Sequence, residues 1–105
     1  MDHRLMPRLP QHLRIQFGGI QTLTADVSSE GFCVELIHAP RPGTLTRGTI
    51  QLGGEVFEFA GHVCWSEPAD PSTNVRARFG VRFTDIPTSF FEALETVFEP
   101  LARAA

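Results

Sequence analysis

The sequence predicts an all-β fold, a six-stranded antiparallel barrel followed by one C-terminal helix. Three observations lead there. Apolar and polar residues alternate singly in short runs between residues 13 and 86. Gly-Gly, Pro-rich and Ser/Asp-rich punctuation separates those runs at short intervals. Only the last segment changes to helical spacing. Short strands with frequent turns favour a small barrel, because closure removes exposed sheet edges.

Residues 1–12 read as a flexible arm, since Pro7 and Pro10 prevent regular helix and no period is visible. Leu13-Arg14-Ile15-Gln16-Phe17 alternates as a strand with one buried face, and Gly18-Gly19 marks a hairpin turn. Ile20 to Val27 is the second strand, with Leu23, Ala25 and Val27 on one face and Thr22, Thr24 and Asp26 on the other. Ser28-Ser29-Glu30-Gly31 breaks it. Phe32, Val34 and Leu36 then alternate with Cys33 and Glu35. Residues 38–48 hold Pro40, Pro42, Gly43 and Gly48 and read as a loop, followed by a short strand over Thr49 to Leu52 and a Gly53-Gly54 turn. Val56 to Trp65 is a long strand with Phe57, Phe59, Val63 and Trp65 on its core face. After a polar loop at 66–74, Val75 to Thr84 is the last strand. Ala77, Phe79, Val81 and Phe83 point inward there, and Arg76, Arg78 and Arg82 outward. Ser89-Phe90-Phe91-Glu92 matches a capping box opening a helix over 88–99, which Pro100 is expected to stop or kink.

The bulk numbers agree with one domain spanning 1–105. Hydrophobic residues are 42% and charged residues 20%, enough for an ordinary core. All nine basic residues are arginine and the net charge is −3, which disfavours a broad DNA, RNA or anionic-membrane surface. Local anion binding stays open, because the arginine fork is a bidentate phosphate ligand. No run has the length of a membrane-spanning helix or the character of a signal peptide, so the cytoplasm is the expected compartment. Cys33 and Cys64 form no CxxC and read as reduced thiols. No histidine stands at metal-ligand spacing and no nucleophile elbow is present, so neither a metal site nor an enzyme is expected.

Two motifs carry chemistry. Arg4-Leu5-Met6-Pro7-Arg8 is an RxxxR on the arm, and Asp26-Val27-Ser28-Ser29-Glu30-Gly31 is a DxSxxG at a strand junction. Together with Gly61-His62-Val63-Cys64-Trp65 and Gly80-Val81-Arg82-Phe83-Thr84-Asp85-Ile86, they resemble the PilZ family over nearly the whole chain. The resemblance implies a six-stranded barrel with a following helix. It also implies a receptor for cyclic di-GMP, with Arg4, Arg8, Asp26 and Ser28 as contacts and Gly31 supporting the turn. His3 stands where members often carry another arginine. With Arg78 and Arg82, it is a further candidate contact. The chemistry suits the ligand: arginine pairs with phosphate or with guanine O6 and N7, and a carboxylate accepts from guanine N–H groups.

The implied function is an adaptor whose arm moves on ligand binding and which signals through an effector protein, with no cofactor besides the ligand. Three rivals stand beside it. One is a PilZ-like module that works by protein contact alone, as in pilus or motility assembly. Another is a barrel for single-stranded nucleic acid, which needs a basic groove with exposed aromatics. The third, an enzyme, lacks an acid, base and nucleophile constellation. The bland alternatives are that Arg4 and Arg8 are solvated charges on a terminus, and that Asp26 and Ser28 are backbone-satisfying turn residues.

Overall fold

A computed structural model describes residues 11–104, with side chains described over 11–97. Seven strands and one helix follow in order: β1 (Arg14–Phe17), β2 (Ile20–Leu23), β3 (Asp26–Val27), β4 (Gly31–Leu36), β5 (Leu45–Leu52), β6 (Glu55–Glu67), β7 (Ala77–Asp85) and α1 (Thr88–Ala104). All pairings are antiparallel, in the order β2-β1-β5-β6-β7-β4-β3. The edge strands β2 and β3 are separated in the chain only by Thr24 and Ala25, so the sheet must curl until its two edges meet. The Thr24 N–H donates to the Leu13 carbonyl at 2.9 Å, on the β1 side. The adjacent Ala25 N–H donates to Cys33 at 2.8 Å, on the β4 side. The edges thus meet through the chain rather than through a ladder, which leaves a partly open barrel.

This partner switch explains the count of seven where six strands are expected. The run Ile20–Val27 is one segment whose halves serve opposite ends of the sheet. It also breaks the expected alternation. Of the two expected faces, Thr24 of one and Val27 of the other are both fully buried, while Leu23 is half exposed. Two boundaries differ as well. β5 begins at Leu45, inside the expected loop, because the long β6 offers partners as far as His62. The last strand begins at Ala77, while Val75 makes only an isolated bridge to Asp70.

The core is phenylalanine-rich, as the inward positions predict. Phe32, Phe79 and Phe90 are essentially inaccessible. Phe32 meets Phe59 edge-on at 5.3 Å and Phe83 at 5.8 Å, and Phe17 meets Phe79 at 6.1 Å. Such offset contacts add about 0.5–1.5 kcal/mol each beyond burial. The helix brings Phe90 and Leu94 into this cluster, with Phe90 edge-on to Phe57 at 5.5 Å and to Phe83 at 5.4 Å.

The helix does not open on the expected capping box. It opens at Thr88, so Ser89 lies in the first turn, and no hydrogen bond joins Ser89 to Glu92 among the described residues. Its end also differs from the expected stop at 99, running past Pro100 to Ala104. Proline removes one N–H, but Leu101-Ala102-Arg103-Ala104 are strong helix formers that resume the helix. No described helix is long and apolar enough to cross a membrane.

Candidate functional site

The DxSxxG motif is the β3–β4 connection. Asp26 is half-buried on β3, where it pairs with Cys33, and Val27 fixes the turn by its complete burial. The Ser28 N–H donates to the Gly31 carbonyl at 2.9 Å, and the Ser28 hydroxyl accepts from the Glu30 N–H at 3.2 Å. Ser28 is therefore a turn-forming residue in its own right, with only 6% of its surface accessible.

Gly31 is required for a reason other than the expected one. Its φ is not positive. A Cβ there meets the Val81 carbonyl oxygen, so the glycine lets β4 lie hard against β7. That approach pairs Gly31 with Arg82, while the Phe83 N–H donates to the Glu30 carbonyl at 2.8 Å. The motif turn and Arg82 are thereby brought together, and a groove of about 310 Å³ opens between Ser29, Glu30, Arg82, Asp85, Ile86 and Phe91.

Register continues this surface across the outer face of the sheet. Three adjacent rows run Gly31–Arg82–His62, then Asp26–Cys33–Gly80–Trp65, then Glu35–Arg78–Glu67. Trp65 thus stands in the row of Asp26, with Arg78 and Arg82 on either side. This corrects the core placement of Trp65. Two residues of β6, Cys64 and Trp65, occupy the space of one opposite β7, and the bulge reverses the alternation after Val63. Trp65 is 38% exposed, and its indole lies on Gly80, where a Cβ would run into Nε1. The bulged Cys64 is exposed, and its thiol donates to the Gly80 carbonyl at 3.5 Å. A glycine inside a strand signals close approach or a bulge, so Gly80 was the available hint.

The two arginines differ. Arg78 Nε lies 3.3 Å from Glu35 Oε1, and its Nη2 donates toward the Cys33 sulfur at 3.9 Å. The Cys33 sulfur first, then Glu35 and Glu67, raise the Arg78 pKa above its ordinary value. Arg82 is exposed and makes no ion pair among the described residues.

A further residue escaped the sequence reading. Buried Thr24 donates its hydroxyl to the Gln11 carbonyl at 2.6 Å and accepts from the Leu13 N–H at 2.9 Å. His12 Nδ1 lies 2.9 Å from the Thr24 carbonyl and donates in its Nδ1–H tautomer. The exit of the arm is thus tied down two residues from Asp26. His3, Arg4 and Arg8 lie outside the described residues. Among the described residues, no three His, Cys, Asp or Glu side chains gather as a metal site would need.

A helix-backed antiparallel barrel thus carries on one outer face a built turn, an arginine with no ion pair among the described residues and a seated indole. The chain belongs to the PilZ domain family, whose model matches residues 2–99. Among solved structures, it is similar to the Bacillus subtilis inhibitor of motility, MotI/DgrA, with a TM-score of 0.78 and 19% identity. That similarity covers 98% of this chain and 53% of the other, so the chain spans about half the length of that protein. At this identity it concerns the fold alone. No curated protein matches the chain.

Proposed function

We propose that this domain is a cyclic di-GMP receptor and adaptor that passes its signal to a partner protein. The observation that carries the reading is the meeting of the DxSxxG turn with Arg82 on a face that also presents Trp65. Asp26 and Gly80, the seat of the indole, are two strand spacings apart, roughly 10 Å. That span suits a ligand whose guanine stacks on Trp65 while its polar edge reaches Asp26. Arg82 takes a phosphate or a guanine more readily than Arg78, which Glu35 already engages. In this reading Arg4 and Arg8 close over the ligand from the arm, His3 lies beside them, and Thr24 anchors the arm's base. Family membership and the fold shared with MotI/DgrA support it.

Isothermal titration with cyclic di-GMP tests this, with GTP and cyclic di-AMP as controls. Arg8→Ala and Asp26→Ala are each expected to cost about 1.5–3 kcal/mol of binding while the fold survives. Absence of selective binding to a folded wild-type protein would overturn the receptor reading and leave the protein-contact module.

A further inference from the structure

The barrel has two ends, and they are treated differently. One is filled by α1 through Phe90 and Leu94. The other ends in a groove of about 390 Å³, where Phe17, Val63 and Phe79 of the core meet Ile20, Leu36 and Leu45 at the rim. Ile20 is 40% and Leu45 80% exposed, and the neighbouring Ile37 is 70% exposed. A cluster of large apolar side chains at the mouth of a barrel marks a binding surface. The mouth is also held in shape. The Gly43 N–H donates to the Val63 carbonyl at 2.6 Å and the Val63 N–H to Thr44 at 2.9 Å, which staples the 38–44 loop to β6.

Charge identifies the occupant. Among the described residues no carboxylate lines this groove, and residues 36–54 contain no Asp or Glu at all. Arg47 lines an adjoining groove that shares Phe17 and Gly18 with the first. Arg41 sits in the stapled loop, where its carbonyl accepts from Thr44. Neither arginine makes an ion pair among the described residues. Glu35 is committed to Arg78, and neither Glu67, at the end of β6, nor Asp70, in the β6–β7 connection, lines the groove. A chain of net charge −3 therefore carries unpaired cations beside its exposed apolar mouth. The apolar surface runs outward over Leu45 and Ile37 instead of closing into a cavity, which fits an extended segment better than a small amphiphile.

We infer that this mouth docks an acidic peptide segment of a partner protein, with one or two large apolar side chains in the groove and Asp or Glu residues over Arg41 and Arg47. Arg82 and the motif turn lie at the opposite ends of β4 and β7 from Leu36 and Ala77, so the ligand turn and the docking mouth are separate. The inference rests on the adaptor part of the proposed function and not on nucleotide binding.

Selection of short random peptides displayed on phage against the full chain tests it, followed by titration of the synthetic winners. Winners should combine Leu or aromatic anchors with Asp and Glu. Their affinity should fall by about tenfold or more on Leu45→Ser and on Arg41→Glu/Arg47→Glu, and stay unchanged on Glu95→Gln at the helix surface. Leu45, Arg41 and Arg47 are all exposed, and a thermal melt confirms the fold of each variant. Basic winners, no winners, or winners indifferent to these substitutions overturn the inference. So does displacement of winners by decanoate at equal affinity for wild type and the arginine variant, which marks a site for apolar chains alone. Concentration-dependent dimers in light scattering that Leu45→Ser abolishes overturn it in favour of a second copy. A cyclic di-GMP titration of the same protein, run in parallel, shows separately whether the receptor reading holds.

Discussion

Thr24 shows how much a single side chain decides. Its hydroxyl is both donor and acceptor, so one buried atom satisfies Gln11 and Leu13 at once. Thr24→Val keeps the shape and removes both bonds, leaving two partly buried backbone groups without that partner. We expect a loss of about 1–3 kcal/mol of stability, read from the urea midpoint. Amide exchange at Leu13 should quicken, and Thr24→Ser should restore protection. If the arm closes over the ligand as proposed, Thr24→Val also weakens cyclic di-GMP binding, because the arm starts from a looser base. Unchanged exchange at Leu13 would mean that the β1–β2 ladder alone holds this segment. None of this was legible in the sequence, where Thr24 is one polar residue in an alternating strand.

Elements meet in this protein where side chains are missing. β4 and β7 approach closely because Gly31 presents no Cβ to the Val81 carbonyl. Gly31→Ala is expected to push the strands apart and cost about 1–3 kcal/mol, as overpacking does. The shift should appear in the amide signals of Arg82 and Phe83, which pair across that junction. Normal stability together with normal Arg82 shifts would show that β7 gives way at no cost. At Gly80 the same device serves the opposite purpose, making room for the Trp65 indole on the outer face. Gly80→Ala should therefore displace the indole and shift its fluorescence, with the barrel retained. The RxxxR and DxSxxG patterns were readable from residue types and order. That Gly31 answers to β7, and Trp65 to Gly80, depends on which strands become neighbours.

For the whole molecule, one aromatic core joins both sides of the barrel to the helix. Phe79 is 1% exposed and edge-on to Phe17 across the interior. Phe79→Ala is expected to cost about 3–5 kcal/mol, measured by denaturant unfolding. That is a large fraction of the roughly 5–15 kcal/mol available to a domain of this kind. A cost below about 1 kcal/mol would mean the barrel collapses around the cavity. The same substitution deepens the floor of the apolar mouth, so peptide docking there should change even where the fold survives.

Periodicity and punctuation by themselves determined the all-β class, the hairpins, the inward phenylalanines and the terminal helix, because each depends on spacing within a few residues. The motif residues were likewise visible as residue types at fixed intervals. Tertiary structure alone decided the partner switch at Thr24–Ala25, the extension of β5 to Leu45 and the outward turn of Trp65 at the Cys64 bulge. It also decided which end of the barrel α1 fills and which stays open. These features follow from which strand lies beside which, and neighbours distant in the chain leave no mark on local alternation.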